Sequence, residues 1–133
     1  MKLFFTIFYA LLGIFCAQAQ TNNSIIKQLA PEKFVEAVKD TTVQLIDVRS
    51  ITEYDQGHLE GAKKVDFLRP IEFQTYFENK DTLQPVYLYC RSGNRSMNAA
   101  KYLKKRGFKE IYDLQGGYFG LPDSLRVSPE KLK

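Results

Sequence analysis

The sequence predicts an α/β domain in which a mainly parallel sheet of five strands is covered by helices on both faces. Short apolar runs suited to buried strands alternate along the chain with longer amphipathic runs suited to helices. That alternation is typical of parallel sheets. Once an N-terminal apolar segment is set aside, the rest of the 133-residue chain has the length of a single domain.

The first residues of the chain have the form of a cleavable export signal. Lys2 precedes a mostly apolar run over residues 3–17, and the sequence AQA at residues 17–19 has the small-x-small form that signal peptidase reads. We expect cleavage after this site, a mature chain that begins at Gln20, and a periplasmic location if the source is a Gram-negative bacterium. The apolar run is short for a membrane span of roughly 20 residues, so we expect no stable membrane anchor after cleavage.

The strands are predicted from apolar runs of strand length. VQLIDV is mostly apolar and suits a central strand, and PVYLYC suits another. A first strand is expected near the start of the mature chain, after a polar link. The predicted positions are residues 20–28 for the link and first strand, then 43–48, 62–67, 85–90 and 109–114.

The helices are predicted from periodicity and from residues that begin or end a helix. Pro31 suits the first turn of PEKFVEAVKD, residues 31–40. Ser50 and Glu53 form a capping box that opens a short helix, which Gly57 can end. Two further helices are predicted at residues 70–80 and 96–106.

The charge of the chain does not indicate a nucleic-acid-binding protein. The sequence has 19 Lys and Arg residues against 15 Asp and Glu, a net charge of +4, without long basic blocks. The densest basic cluster, residues 104–109, falls where a helix should end, and cations there complement the helix dipole. We expect a monomeric domain over residues 29–125, a tail over residues 126–133 and no nucleic-acid partner.

Cysteine usage indicates a reactive thiol. Removal of the N-terminal segment takes away Cys16 and leaves Cys90 as the one cysteine of the mature chain. An intramolecular disulfide is then impossible, although an oxidising compartment would permit one. A lone thiol in an exported protein is either linked to another molecule or reactive. Cys90 also ends a predicted strand, and ligand sites of parallel sheets lie at the carboxyl ends of the strands. We therefore predict that Cys90 is the catalytic nucleophile.

The residues after Cys90 predict an anion-binding loop, which we define as residues 90–96. A helix is expected to begin at about Ser96, and backbone N–H groups at a helix start are unsatisfied and can point at a common centre. Gly93 allows a tight turn, and Asn94 tolerates left-handed backbone conformations. The predicted donor-binding residues are Arg91, Ser92, Gly93, Asn94, Arg95 and Ser96.

Two arginines strengthen this prediction. Cations at a helix N-terminus oppose the helix dipole unless an anion compensates them, so Arg91 and Arg95 indicate a bound anion. A helix N-terminus and nearby arginines can lower a cysteine pKa from about 8.5 into the range of roughly 3.5–7.5. Asp47 and Arg49, at the end of another predicted strand, are expected to support the loop through ion pairs. His58, the only histidine, lies in a turn and is expected to be structural.

The loop and three further motifs resemble the single-domain rhodaneses, a family of sulfurtransferases. CRSGNRS, residues 90–96, looks like the active-site loop of that family. LIDVR with the following EY, then GHLEGA and LQGG, resemble its other motifs in the same order. The likeness spans about residues 25–121, and with an export signal the chain looks most like periplasmic thiosulfate sulfurtransferases. One departure is Tyr118, where the family often has Trp after the double glycine.

The resemblance implies a rhodanese-like fold and a ping-pong reaction without a metal or an organic cofactor. The Cys90 thiolate would attack the outer sulfur of thiosulfate, or of a polysulfide or persulfide. For thiosulfate, sulfite would leave and a Cys90 persulfide would remain. A thiophilic acceptor such as cyanide, a thiol or another protein would then take the sulfur. The anion-binding loop would stabilise charge on the outer sulfur, as an oxyanion hole stabilises oxygen.

Two other functions stay open. A cysteine-dependent phosphatase or arsenate reductase also uses a thiolate in an anion-binding loop, and such loops resemble His-Cys-five residues-Arg. Here Tyr89 precedes Cys90, and four residues separate Cys90 from Arg95, which should suit a sulfur-sized centre better than a phosphate. The second alternative is a non-enzymatic sulfur-carrier module. Inactive rhodanese relatives often lack the cysteine, however, and this chain keeps it.

Overall fold

The computed structural model describes residues 24–127 and 129–132, so the predicted export signal lies outside the described residues. Within these residues, five strands form one sheet: β1 (Ile25–Leu29), β2 (Gln44–Asp47), β3 (Lys63–Lys64), β4 (Val86–Tyr89) and β5 (Glu110–Leu114). Their order across the sheet is β1-β5-β4-β2-β3, and every neighbouring pair is parallel. The predicted parallel sheet is therefore confirmed.

In the part of the chain that the structure describes, four α-helices and three short 3₁₀ turns connect and follow the strands. The helices are α1 (Pro31–Ala37), α2 (Ile51–Asp55), α3 (Pro70–Phe77) and α4 (Asn94–Lys105). The 3₁₀ turns are Tyr118–Gly120, Asp123–Leu125 and Pro129–Leu132. Among the residues described, no helix combines the length and apolar character needed to cross a bilayer.

Alternation along the strands creates two apolar layers, one on each face of the sheet. In β4, Leu88 faces the layer beneath α3 and α4, whereas Tyr87 and Tyr89 face the layer beneath α1. The first layer also contains Phe73 from α3, and the second is completed by Phe34 from α1. The predicted helix layers on both faces are therefore present. Cys90 belongs to the layer beneath α3 and α4.

Several element boundaries differ from the prediction: α1 and α3 each end three residues earlier than predicted, at Ala37 and Phe77. The strand expected over residues 62–67 forms a regular ladder only at Lys63–Lys64, although the Val65 N–H still donates to Asp47 O at 2.8 Å and the Phe67 N–H to Val48 O at 3.1 Å. Residues 63–67 thus run alongside β2 and form an irregular edge of the sheet. Helix α4 begins at Asn94 instead of about Ser96.

Gly93 explains the earlier start of α4. It is the N-cap residue and has a φ of 108°, a left-handed conformation that glycine adopts at little cost. Because Gly93 makes the turn, Asn94 is already helical. Asn94 therefore does not use the left-handed conformation that it could tolerate, and only glycines have positive φ within the described part of the chain.

Candidate active site

Cys90 lies at the carboxyl edge of the sheet, directly after β4. Its side chain is a free thiol and only 1% exposed. Asp47 ends the adjacent strand β2 and pairs in register with Tyr89. The turn at Tyr118–Gly120 follows β5, the neighbour of β4 on the other side. Cys90 is therefore flanked by segments that follow both neighbouring strands, as the parallel sheet predicted.

Hydrogen-bond donors of the anion-binding loop converge on the Cys90 sulfur. The Gly93 N–H donates to Sγ at 3.1 Å, and the buried Ser96 hydroxyl donates to Sγ at 3.4 Å. Burial raises the pKa of Cys90, but the Ser96 hydroxyl and the N–H groups of Ser96, Gly93 and Ser92 outweigh it. The pKa of the thiol is consequently lowered from its ordinary value. The loop favours the nucleophilic thiolate.

The turn after β5 fixes the direction of these N–H groups. The Tyr118 N–H donates to Cys90 O at 2.8 Å, and the Phe119 N–H donates to Arg91 O at 3.0 Å. With its carbonyl groups held by this turn, the loop can direct its N–H groups toward the sulfur. Gly117 makes the approach possible, because a Cβ there would lie 2.6 Å from Arg91 C, Arg91 O and Ser92 N.

The two arginines of the loop have partners within the chain. Arg95 Nη1 and Nη2 donate to Glu53 Oε2 at 2.8 Å and Oε1 at 2.6 Å. This Arg95 pairing lowers the pKa of Glu53 to about 2. The guanidinium group of Arg91 lies 4.3 Å from the ring centre of Phe119. The carboxylate of Glu53 therefore provides part of the negative charge that was expected to compensate the two arginines.

This arrangement changes the explanation of thiol activation. Arginine charge was expected to contribute directly to the lowered pKa of Cys90, but the main favourable contributions come from Ser96, Gly93 and Ser92. Direct binding of the donor by Arg91 and Arg95 stays a prediction. Asn94 is exposed at the start of α4, where its Oδ1 accepts a hydrogen bond from Asn98 Nδ2 at 3.3 Å.

Asp47 and Arg49, which were expected to support the anion-binding loop through ion pairs, form a buried ion pair with each other. Arg49 Nη2 donates to Asp47 Oδ2 at 2.6 Å and to Gly57 O at 2.8 Å. Its guanidinium carbon also lies 4.4 Å from the ring centre of Tyr118. Asp47 is fully buried and Arg49 is nearly so. Through the contact between Arg49 and the Tyr118 ring, the ion pair supports the 3₁₀ turn that holds the anion-binding loop.

His58 makes contacts that suit a structural role. Its Nδ1 is 2.9 Å from Tyr54 O, and the two rings stack with centroids 3.6 Å apart.

Beside the anion-binding loop lies a cavity of about 330 Å³ whose lining includes Arg49, Arg91 and Phe119. No group of three or more His, Cys, Asp or Glu side chains within residues 24–127 and 129–132 could hold a metal ion.

A thiol that accepts hydrogen bonds from the N–H groups of a loop, at the carboxyl edge of a parallel sheet, places the chain among α/β proteins with a loop built around a cysteine. Residues 30–121 match the family model of the Rhodanese-like domain. The chain belongs to the rhodanese-like family.

Relatives and solved structures agree with this assignment. The chain is 37% identical over 113 residues to the uncharacterised protein YqhL of Bacillus subtilis, covering 84% of this chain and 85% of that protein. It is 34% identical over 95 residues to thiosulfate sulfurtransferase GlpE of Pseudomonas fluorescens, covering 71% and 84%. The crystal structure of a rhodanese-like domain protein from Staphylococcus aureus superposes with a TM-score of 0.64 at 20% identity, covering 77% and 97%.

Sequence reasoning placed Cys90 and the loop but did not identify the role of two contributors to the site. Gly117 was recognised only as part of the LQGG motif, and Glu53 only as part of a capping box and of the EY motif. The capping box was the sequence signal that Glu53 is held in place at the start of α2. Ser50 Oγ accepts a hydrogen bond from the Glu53 N–H, and Glu53 Oε2 accepts one from the Ser50 N–H.

Proposed function

We propose that this protein is a sulfurtransferase that moves sulfane sulfur from thiosulfate, or from a polysulfide or persulfide, through a Cys90 persulfide to a thiophilic acceptor. The observation that carries the proposal is the ring of donors around Cys90 Sγ, which lowers the thiol pKa despite burial. The named activity of the GlpE relatives at about 34% identity supports the same reaction class.

In the first half-reaction, the Cys90 thiolate attacks the outer sulfur of thiosulfate. A bond forms between Sγ and that sulfur, the sulfur–sulfur bond of thiosulfate breaks, and its electron pair leaves with sulfite. This step involves no proton transfer, because the nucleophile attacks as the thiolate, the form that the loop favours. The N–H groups of Ser92, Gly93 and Ser96 provide fixed dipoles for the negative charge that passes over the sulfur atoms.

In the second half-reaction, cyanide, a thiolate or a protein thiolate attacks the outer sulfur of the persulfide. The new bond forms to the acceptor, and the electron pair of the broken sulfur–sulfur bond returns to Cys90 as thiolate. The same donors that activate the thiol therefore also stabilise it as a leaving group. The reaction needs no organic cofactor and no metal.

The geometry favours sulfur chemistry over phosphate chemistry. Four residues separate Cys90 from Arg95, and both terminal nitrogens of Arg95 donate to Glu53. The loops of cysteine-dependent phosphatases have one residue more between the cysteine and the arginine, and the shorter loop of this chain should suit a sulfur-sized centre better than a phosphate. Retention of the nucleophile with a lowered pKa also favours an enzyme over a sulfur-carrier module.

Kinetic assays on wild type and Cys90→Ser test the proposal. We expect the wild type to release sulfite from thiosulfate with cyanide as acceptor and to gain the mass of one sulfur atom. Cys90→Ser should fold, as judged by circular dichroism, and lose both properties, because a hydroxyl cannot carry a persulfide. Phosphate release from an aryl phosphate without sulfite release would instead indicate a phosphatase, and sulfur loading without turnover would indicate a carrier.

We also propose that the protein acts as an exported monomer without a nucleic-acid partner or a lasting membrane anchor. This proposal rests on the sequence of residues 1–19, on the modest net charge of +4 and on the size of the domain. Such a location would give Cys90 access to small anionic sulfur donors outside the cytoplasm. Sedimentation of the mature protein tests the monomeric state.

A further inference from the structure

The cavity beside the anion-binding loop is larger than an inorganic sulfur donor requires. Its volume of about 330 Å³ corresponds to roughly ten water molecules. Pockets for small organic molecules measure roughly 300–1,000 Å³, whereas a compact anion such as thiosulfate fills only a fraction of that space. The cavity therefore has the size of a site for an organic ligand.

Two aromatic rings line the cavity, and each contacts an arginine. The guanidinium carbon of Arg91 lies 4.3 Å from the ring centre of Phe119, and that of Arg49 lies 4.4 Å from the ring centre of Tyr118. Phe119 is 58% exposed, and its N–H donates to Arg91 O at 3.0 Å. The exposed ring and the guanidinium group are thus held together. Aromatic surface with a few polar groups is typical of small-molecule sites.

The cavity carries one uncompensated positive charge. Arg49 is paired with Asp47 at 2.6 Å, and Glu53 is paired with Arg95 at 2.6 Å. Arg91 is exposed and forms no ion pair with any carboxylate in the part of the chain that the structure describes. A guanidinium group is planar and binds a carboxylate through two parallel hydrogen bonds. The cavity therefore suits an organic molecule with a carboxylate.

The cavity reaches the residue next to the nucleophile. Arg91 directly follows Cys90, so the Cα atoms of the two residues are about 3.8 Å apart. The turn that carries Tyr118 and Phe119 also holds the carbonyl oxygens of Cys90 and Arg91. Cys90 itself does not line the cavity. The cavity would therefore hold the body of a ligand, and only a sulfur atom at the end of that ligand would extend to Cys90.

We propose that this cavity is the acceptor site and binds a low-molecular-weight organic thiol whose carboxylate pairs with Arg91. The inference names the acceptor class of the proposed sulfurtransferase and rests on that function. The thiol loses its proton to water, and the thiolate attacks the outer sulfur of the Cys90 persulfide. A bond forms between these two sulfur atoms. The bond to Cys90 Sγ breaks with its electron pair on Sγ, and the organic persulfide leaves.

The test compares two acceptors of the same shape, N-acetylcysteine and N-acetylcysteine amide. Both carry the same thiol group, but only the first has a carboxylate. The ratio of their kcat/KM values, measured as sulfite release from thiosulfate, is compared between wild type and variants. In a ping-pong reaction, kcat/KM for the acceptor depends only on the second half-reaction. An effect of Arg91 on donor binding therefore does not enter the ratio.

Arg91→Ala should lower the ratio about fivefold, because it removes the charge that pairs with the carboxylate. Arg91→Lys should retain most of the ratio. Arg106→Ala is the matched control, because it removes an exposed arginine at the opposite end of α4, and the ratio should not change. A second pair of variants uses Gln56, an exposed residue that lines the cavity directly after α2. Gln56→Lys should raise the ratio, and Gln56→Glu should lower it.

A ratio that is unchanged in Arg91→Ala would overturn the proposal. If Arg91→Ala does not fold, equal ratios in Gln56→Lys and Gln56→Glu would overturn it. The proposal also fails if neither thiol accepts sulfur from a protein that still delivers it to cyanide, and the acceptor would then be a protein or cyanide itself.

A binding measurement separates this proposal from the sulfurtransferase proposal. N-acetylalanine has the carboxylate but no sulfur, so its calorimetric titration needs no sulfur transfer. We expect it to bind wild type more tightly than N-acetylalanine amide does, and Arg91→Ala should remove that difference. Binding without any sulfite release would contradict the sulfurtransferase proposal alone. Sulfite release with equal binding of the two alanine compounds would contradict the acceptor site alone.

Discussion

Substituting Gly117 with alanine should disable the anion-binding loop from outside it. Gly117 has a φ of 63° and a ψ of −166°, a backbone region that is nearly exclusive to glycine. A Cβ there would stand 2.6 Å from Arg91 C, Arg91 O and Ser92 N, where ordinary van der Waals contact begins at 3.4 Å. The loop and the turn must therefore separate by about 0.8 Å. All three obstructing atoms are backbone, so no side chain can simply rotate away.

This displacement sets the expected size of the effect. The turn holds Cys90 O and Arg91 O through the N–H groups of Tyr118 and Phe119, so moving it misdirects the donors aimed at Sγ. A displacement of about 1 Å in a catalytic arrangement can cost about a hundredfold in rate. We expect kcat/KM for thiosulfate to fall by that order and the pKa of Cys90 to rise. Sulfite release and the pH dependence of iodoacetamide alkylation measure the two effects.

Gly61→Ala is the matched control. Gly61 also has a positive φ, of 77°, but a Cβ there would meet no atom within 4 Å. Both variants should lose about 1–3 kcal/mol of stability from backbone strain, whereas only Gly117→Ala should lose activity. If folded Gly117→Ala and Gly61→Ala release sulfite at similar rates, the close approach of the turn does not shape the loop and the reasoning is refuted.

Three further predictions concern the ion pair, the loop length and the N-terminus. Glu53→Gln should lower the free energy of unfolding by about 1–3 kcal/mol at neutral pH. The pKa of Glu53 in the folded protein is depressed to about 2, from an ordinary value of 4.5. The stability difference between wild type and Glu53→Gln should therefore be fully present above pH 4.5 and be lost as the pH falls toward 2. Urea unfolding at several pH values measures it. Inserting Gly between Asn94 and Arg95 should lower thiosulfate activity by about a hundredfold and improve phosphate binding, and unchanged kinetics would contradict this. The mature protein should begin at Gln20, and N-terminal sequencing that finds Met1 would contradict export.

The sequence was informative wherever structure depends on neighbouring residues. The alternation in β4 and the capping box at Ser50 and Glu53 are local patterns, and both are present. Cys90 and Gly93 were also identifiable, because a strand, a glycine turn and a helix start follow one another directly along the chain. Such features need no knowledge of distant contacts.

The remaining features depend on contacts between distant segments. The double-glycine motif contains Gly117, but nothing local shows that it approaches Arg91. Glu53 likewise lies 42 residues from Arg95, so the partner of that arginine could not be read from its charge. Asp113 follows the strand pattern, and only the packed sheet shows that its carboxyl is fully buried and accepts a hydrogen bond from Gln28, 85 residues away.

The sheet order also dictates when the thiol becomes reactive. The last strand, β5, enters between β1 and β4, and only after it comes the turn whose N–H groups hold Cys90 O and Arg91 O. A chain that is still emerging or truncated before β5 therefore lacks the turn that holds the anion-binding loop, and its Cys90 should react as an ordinary thiol. Under the sulfurtransferase proposal, transfer of sulfur should therefore begin only in molecules whose fold is complete.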